Sequence, residues 1–264
     1  MMRNFRVEDT IIYEDGEILV CHKPAGIAVQ NARMGALDLE NALRNYLAVR
    51  SGENSRKIPY LAVIHRLDQP VEGVLVFGKT PGAARELSRQ MAAGEMCKKY
   101  LAVTGNVQGK KYPAVTDCVL DKKNLAETAV VSGQEAGKEY LLIDYLKKDG
   151  RTNTSTVVPK GTAGSKEARL SYKILQEAED SRIEGGRKTL LEIHLDTGRH
   201  HQIRVQMAHA GMPLLGDRKY NPSDKSNVPL GLCSCELTLL HPSKKKKMKF
   251  EISPRGEAFE GFHE

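Results

Sequence analysis

The sequence predicts an α+β chain, and three observations carry that reading. Short apolar or alternating runs, bounded by Gly, Pro and charged clusters, recur along its length as strands do. Between them lie stretches whose apolar residues fall at helical spacing, at 39, 42, 43, 46 and 47 and again at Ala83, Ala84, Leu87, Met91 and Ala92. At 264 residues, 40% hydrophobic and 28% charged, the chain is long enough for one generous hydrophobic core and has an ordinary globular composition.

Residues 5–13 precede a turn at Glu14-Asp15-Gly16-Glu17. An apolar strand over residues 18–21 then ends at His22-Lys23-Pro24-Ala25-Gly26, where Pro fixes a bend and Gly permits a positive φ or a close backbone approach. A helix over residues 37–49 and a polar loop over 50–57 lead to a strand at 61–64. Pro70 and Gly73 break the charged segment that follows, before a second strand at 74–77. If the extended conformation persists through Arg66 and Asp68, their side chains share a face, and a guanidinium beside a carboxylate favours the ionised form. The same spacing also suits an ion pair that only orders the loop. Pro81 opens the second helix and Gly94 closes it, and residues 97–105 alternate as a strand.

Residues 106–138 are rich in Gly, Lys and polar side chains, with one apolar break at Ala129-Val130-Val131. An element over residues 140–146 carries a basic, polar tip, in which Lys147, Lys148, Arg151 and Asn153 suit phosphate contacts or plain solvation. The Gly-, Ser- and Thr-rich stretch to Lys166 reads as a mobile loop. Strands follow at 168–175 and 189–195 around a charged hairpin loop. A short helix over 203–210 is stopped by Gly211 and Pro213, and Arg and His beside its first N–H groups make a natural anion site. The last strand lies within residues 231–242. Lys244 to Lys247, with Lys249, form the turn to Phe250-Glu251-Ile252, either solvated or bound to a nucleic-acid backbone.

Lys and Arg number 40 against 33 acids, a net charge of +7 that suits a polyanionic partner and is also compatible with solubility alone. No run approaches the roughly 20 apolar residues of a membrane helix, and the first residues lack a signal-peptide core, so a cytoplasmic chain with no membrane partner is expected. Five cysteines, Cys21, Cys97, Cys118, Cys233 and Cys235, include no C-x-x-C pair and read as reduced structural thiols. His200, His201 and His209 fit no zinc spacing, and neither a dinucleotide fingerprint nor a triphosphate loop is present, so no metal and no cofactor is expected.

His65-Arg66-Leu67-Asp68, followed by Gly73-Val74-Leu75-Val76-Phe77 and Lys79, resembles the central motif of the large-ribosomal-RNA type of pseudouridine synthases. Lys23-Pro24-Ala25-Gly26 is similar to the element that opens that family's catalytic domain. Residues 97–105 resemble its second motif, and Thr197-Gly198-Arg199-His200-His201-Gln202-Ile203-Arg204-Val205 with Gly211-Met212-Pro213-Leu214-Leu215-Gly216-Asp217 its third. The resemblance makes Asp68 the catalytic carboxylate, Tyr100 the active-site tyrosine and Arg204 the partner of Asp68. It places His65, Arg66 and His201 in the substrate site, and His201 also reads as holding its loop by hydrogen bonds. Ile203 and Leu232 become pocket walls with Tyr100, and Lys23 and Arg199 backbone contacts. The family usually has Thr-Ser or Thr-Gly where this chain has Val71-Glu72. The added carboxylate either raises the pKa of Asp68 or pairs with Lys79 or Arg66.

The matches run from Lys23 to Pro242 in the family's order. They imply one catalytic domain over residues 1–264, with no room before Lys23 for a separate N-terminal RNA-binding domain. The implied fold is a central mixed, mostly antiparallel sheet flanked by helices, with a basic cleft. The implied reaction isomerises a uridine of ribosomal or transfer RNA to pseudouridine, on a monomer. Two rivals remain: an RNA-binding or assembly factor that keeps the fold without the chemistry, and a small-molecule hydrolase using Asp68 with a histidine.

Overall fold

The computed structural model describes residues 5–31, 37–51, 58–105, 138–183 and 185–262. The apolar break at residues 129–131 and Cys118 lie outside them. In chain order the elements are β1 (Ile11–Glu14), β2 (Ile18–Lys23), α1 (Leu39–Arg50), β3 (Ala62–Val63), β4 (Glu72–Gly78), α2 (Pro81–Ala92) and β5 (Cys97–Gly105). Then come β6 (Glu139–Asp149), β7 (Thr154–Val158), β8 (Lys166–Glu179), β9 (Arg187–Leu195), α3 (Gln202–His209), β10 (Leu232–Leu240) and β11 (Lys247–Glu251). The class is α+β, and the strand pairing is mixed and largely antiparallel. The chain divides into two compact units, residues 1–98 with 233–254 and residues 99–232 with 255–264.

In the first unit β4 is the central strand, buried at every position. β2 pairs with it antiparallel from Ile18↔Gly78 to Lys23↔Gly73, and β10 pairs with its start in parallel at Ser234↔Gly73. Apolar runs such as Val74-Leu75-Val76-Phe77 suit a strand covered on both faces. One face packs Val20, Val74 and Val76 against Leu87 of α2 together with Leu237, Leu239 and Phe250. Each such side chain contributes about 1.5–3 kcal/mol on burial. α2 begins where expected, with Pro81 at its first position and Thr80 Oγ1 accepting the Ala83 N–H at 3.1 Å. Gln90 bonds both backbone groups of Leu240, at 2.8 and 3.0 Å, and so ties the helix to β10. Gly73, expected as a strand breaker, lies inside β4 instead. Its φ is +144°, and a Cβ there would sit 2.5 Å from Ser234 Cβ, so glycine is what lets β10 approach.

In the second unit the strand order is β5-β9-β8-β6-β7, every pair antiparallel. α3 packs on β6 and β7 through Val205, Leu146, Ala168 and the partly buried Val157 and Tyr220. A second cluster joins Val103, Leu190, Leu215, Val228 and Ala258. β7 corrects the loop expected before Lys166. Thr154, Thr156, Val157 and Val158 are β-branched and pair with β6 from Asp149↔Thr154 to Tyr145↔Val158. Among the described residues no helix is long and apolar enough to cross a membrane.

Candidate active site

Asp68 belongs to the first unit, Tyr100 and Arg204 to the second. After β3 the chain leaves the strand, and Val71 N–H donates to Asp68 O at 3.0 Å, closing a turn over residues 68–71. Arg66 is exposed and Asp68 half-buried. Two strands of hydrogen bonding strap this turn to the Lys23-Pro24-Ala25-Gly26 element. Gly26 N–H donates to Gln69 O at 2.8 Å, and Gln69 Nε2 donates to Gly26 O at 3.0 Å.

Lys23 completes the knot. Its side chain is 0% exposed, and Nζ donates to Pro24 O, Ile27 O and Gln69 O at 3.0, 2.8 and 3.0 Å. All three ammonium donors are used inside the protein, which leaves none for the expected contact with an RNA backbone. Burial pulls its pKa down to about 8, and the negative charge of Asp68 works against that fall. A buried cation is thereby held beside the Asp68 turn.

His65 is bound into the same unit. Its Nε2 lies 3.4 Å from the Val76 N–H, and burial together with the charge of Lys98 holds its pKa well below the usual imidazole value. It is a neutral ring at neutral pH, unsuited to bind phosphate as a cation. Lys79 is bound to Glu14 at 2.6 Å, whereas Glu72 Oε2 lies 3.3 Å from His22 Nε2, both side chains buried. The register explains this, since His22 faces Val74 and Glu72 is its diagonal neighbour on the same face. In the lysine-rich turn Lys244 pairs with Asp15, Lys245 with Glu86, and Lys249 with Glu236 and Glu251.

In the second unit Arg204 is 4% exposed and forms a bidentate pair with Asp217, Nε to Oδ2 and Nη2 to Oδ1, both at 2.7 Å. Its guanidinium carbon lies 5.2 Å from the Tyr220 ring centroid. Asp217 also accepts the Lys219 and Tyr220 N–H groups, so the carboxylate that aims Arg204 is itself fixed. His201 adopts φ +53° at the start of α3 and bonds Tyr220 Oη through Nδ1 at 2.9 Å. Arg199 is exposed and donates from Nε to Glu167 O. Tyr100 faces Ile193 across the β5–β9 ladder and is buried, as are Ile203 and Leu232. His200 engages Ser155 and Asn153, and His209 pairs with Asp144. Among the described residues no cluster of three metal-ligating side chains occurs. Asp217, Tyr220 and His22 carry no role in the sequence reading.

Residues 17–209 match the sequence profile of the RNA pseudouridylate synthase family. The chain belongs to this family. An RNA pseudouridine synthase from Aquifex aeolicus, itself uncharacterised, is 31% identical over 92% of this chain and 68% of its own length. The ribosomal large subunit pseudouridine synthase D of Xylella fastidiosa is 30% identical over 92% of this chain and 60% of its own. The dual-specificity RNA pseudouridine synthase RluA of Escherichia coli is 28% identical over 91% of both chains. The chain therefore spans 60% to 68% of the first two relatives and most of the third. The solved structure of human RNA pseudouridylate synthase domain containing 1 shares the fold, with a TM-score of 0.68 at 18% identity, covering 96% of this chain and 86% of that one. As a member of this family the chain is classed among isomerases.

Proposed function

We propose that this chain converts a uridine of ribosomal or transfer RNA to pseudouridine, with Asp68 as the catalytic carboxylate. The observation that carries the reading is family membership over residues 17–209, a span that contains the Asp68 turn and the lysine-strapped element beneath it. The reaction breaks the bond between uracil N1 and ribose C1′, turns the base and joins C5 to C1′. The proton leaves C5 and N1 regains one, so no redox partner is required. An ionised carboxylate serves this either by adding to the nucleoside or by taking a ribose proton. Tyr100 and Arg204 are taken in the roles the motifs assign them. Arg204 suits its role because a guanidinium already fixed by Asp217 needs little reorganisation. The target uridine must leave its stack, which costs a few kcal/mol and is offset by stacking and phosphate contacts. Exposed Arg66 stands next to the catalytic turn to assist that step. The protein acts as a cytoplasmic monomer in this reading.

Digestion of treated RNA to nucleosides tests the proposal: pseudouridine appears with the wild type and not with Asp68→Asn, and its absence from both contradicts it. Mapping pseudouridines in cells with and without the gene then identifies the RNA. Val71-Glu72 favours one rival, a binding or assembly factor that has lost the chemistry. That rival predicts equal RNA affinity for wild type and Asp68→Asn, with no product from either.

A further inference from the structure

The second unit carries a basic surface with no assigned role, the tip of the hairpin between β6 and β7. Lys147, Lys148 and Arg151 are exposed there, and among the described residues none has a carboxylate partner. The nearby acid, Asp149, is engaged in the turn itself, its Oδ1 accepting the Arg151 N–H at 2.8 Å. This differs from the lysine-rich turn of the first unit, where Lys244, Lys245 and Lys249 are paired within the chain. Unpaired cations leave their field for a ligand; paired ones do not.

The tip is also anchored, which a merely solvated loop does not require. Ser155, 2% exposed, bonds His200 twice, at Nδ1 and at the backbone oxygen, both at 2.9 Å. His200 Nε2 lies 3.1 Å from Asn153 Oδ1, and Lys219 Nζ donates to Asn153 O at 2.8 Å. The Ser155 N–H donates to Tyr220 Oη at 2.8 Å, and the same hydroxyl bonds His201. Tyr220 in turn stacks on Arg204. Lys148 faces Ser155 across the ladder and shares its side of the hairpin. The basic tip is thus fastened to the element that bears the motif arginine, and its orientation is set before any partner arrives.

We infer that this hairpin tip is a docking surface for the phosphate backbone of RNA flanking the modified uridine, with Lys147, Lys148 and Arg151 as the contacts. The inference names a contact surface for the substrate class proposed above and rests on that reading. Binding and turnover are separable, so the two fail separately. The probe is a fluorescein-labelled RNA stem-loop with uridine in its loop, titrated by anisotropy over a salt series against protein carrying Asp68→Asn. Adding Lys147→Gln, Lys148→Gln and Arg151→Gln is expected to weaken binding on the order of tenfold and to flatten the slope of log K against log salt by about 2. Lys244→Gln with Lys245→Gln and Lys249→Gln changes the slope by less than half as much. An unchanged slope and affinity in the hairpin variant, with unchanged melting, overturns the assignment whether or not the protein isomerises uridine. If Asp68-containing protein is active, the hairpin variant raises KM and leaves kcat within about twofold; a fall in kcat alone contradicts backbone docking.

Discussion

Lys23 shows how differently one residue reads in a sequence and in a fold. A lysine before Pro gives the same signal solvated or buried, so nothing in the sequence distinguishes a phosphate contact from the three-carbonyl knot that is found. Because its folded pKa of about 8 lies below the unfolded value near 10.5, the native state releases this proton first. The unfolded chain then holds more protons between pH 8 and 10.5, and the contribution of Lys23 to stability grows through that window. Urea midpoints of wild type and Lys23→Met should diverge in favour of wild type as pH rises from 7.5 to 9.5, with equal shifts contradicting the buried ammonium. Lys98, also pulled to about 8 by burial, is present in both proteins and cancels. His22 and Glu72 form a second residue-scale pair. His22→Asn and Glu72→Gln should each destabilise the protein, and a double-mutant cycle in denaturant should give a coupling of about 0.5–3 kcal/mol. Strict additivity would contradict a direct pair. The sequence singles out Glu72 as unusual, but the partner depends on the β2–β4 register, which no local pattern reveals.

At the scale of elements, helices and most strands were legible because periodicity and punctuation agree there. Pro81 starts α2 as read, and residues 97–105 form β5, although Ala102, Val103 and Thr104 are buried in succession. β7 was not legible, since Thr and Ser signal both loop and strand, and only its pairing with β6 decides. Gly73 was misread because a glycine at the head of an apolar run marks either a break or a close approach. Gly73→Ala should cost at least about 2 kcal/mol, since the new Cβ would meet the Ser234 backbone nitrogen at 2.6 Å. A melting temperature within error of wild type would contradict that packing. The third motif was legible as a motif, yet the Arg204–Asp217 pair was not, because a contact formed through an irregular loop has no spacing signature. Asp217→Asn should destabilise by about 3–5 kcal/mol, as expected when one side of a buried ion pair is removed. Chemical denaturation measures it, and a loss under about 1 kcal/mol would show that Arg204 does not depend on this partner.

For the whole molecule, the α+β class and the family were legible from motif order, and the family match over residues 17–209 agrees. Net charge was a weaker guide: +7 for the chain does not separate lysines paired in place from those left to a ligand. The most direct test of the central claim follows the carbon where the new bond forms. RNA carrying tritium at uracil C5 should release label to water with the wild type, in step with pseudouridine formed, and release none with Asp68→Asn of unchanged melting temperature and RNA affinity. Label released equally by both proteins would contradict the assignment of Asp68.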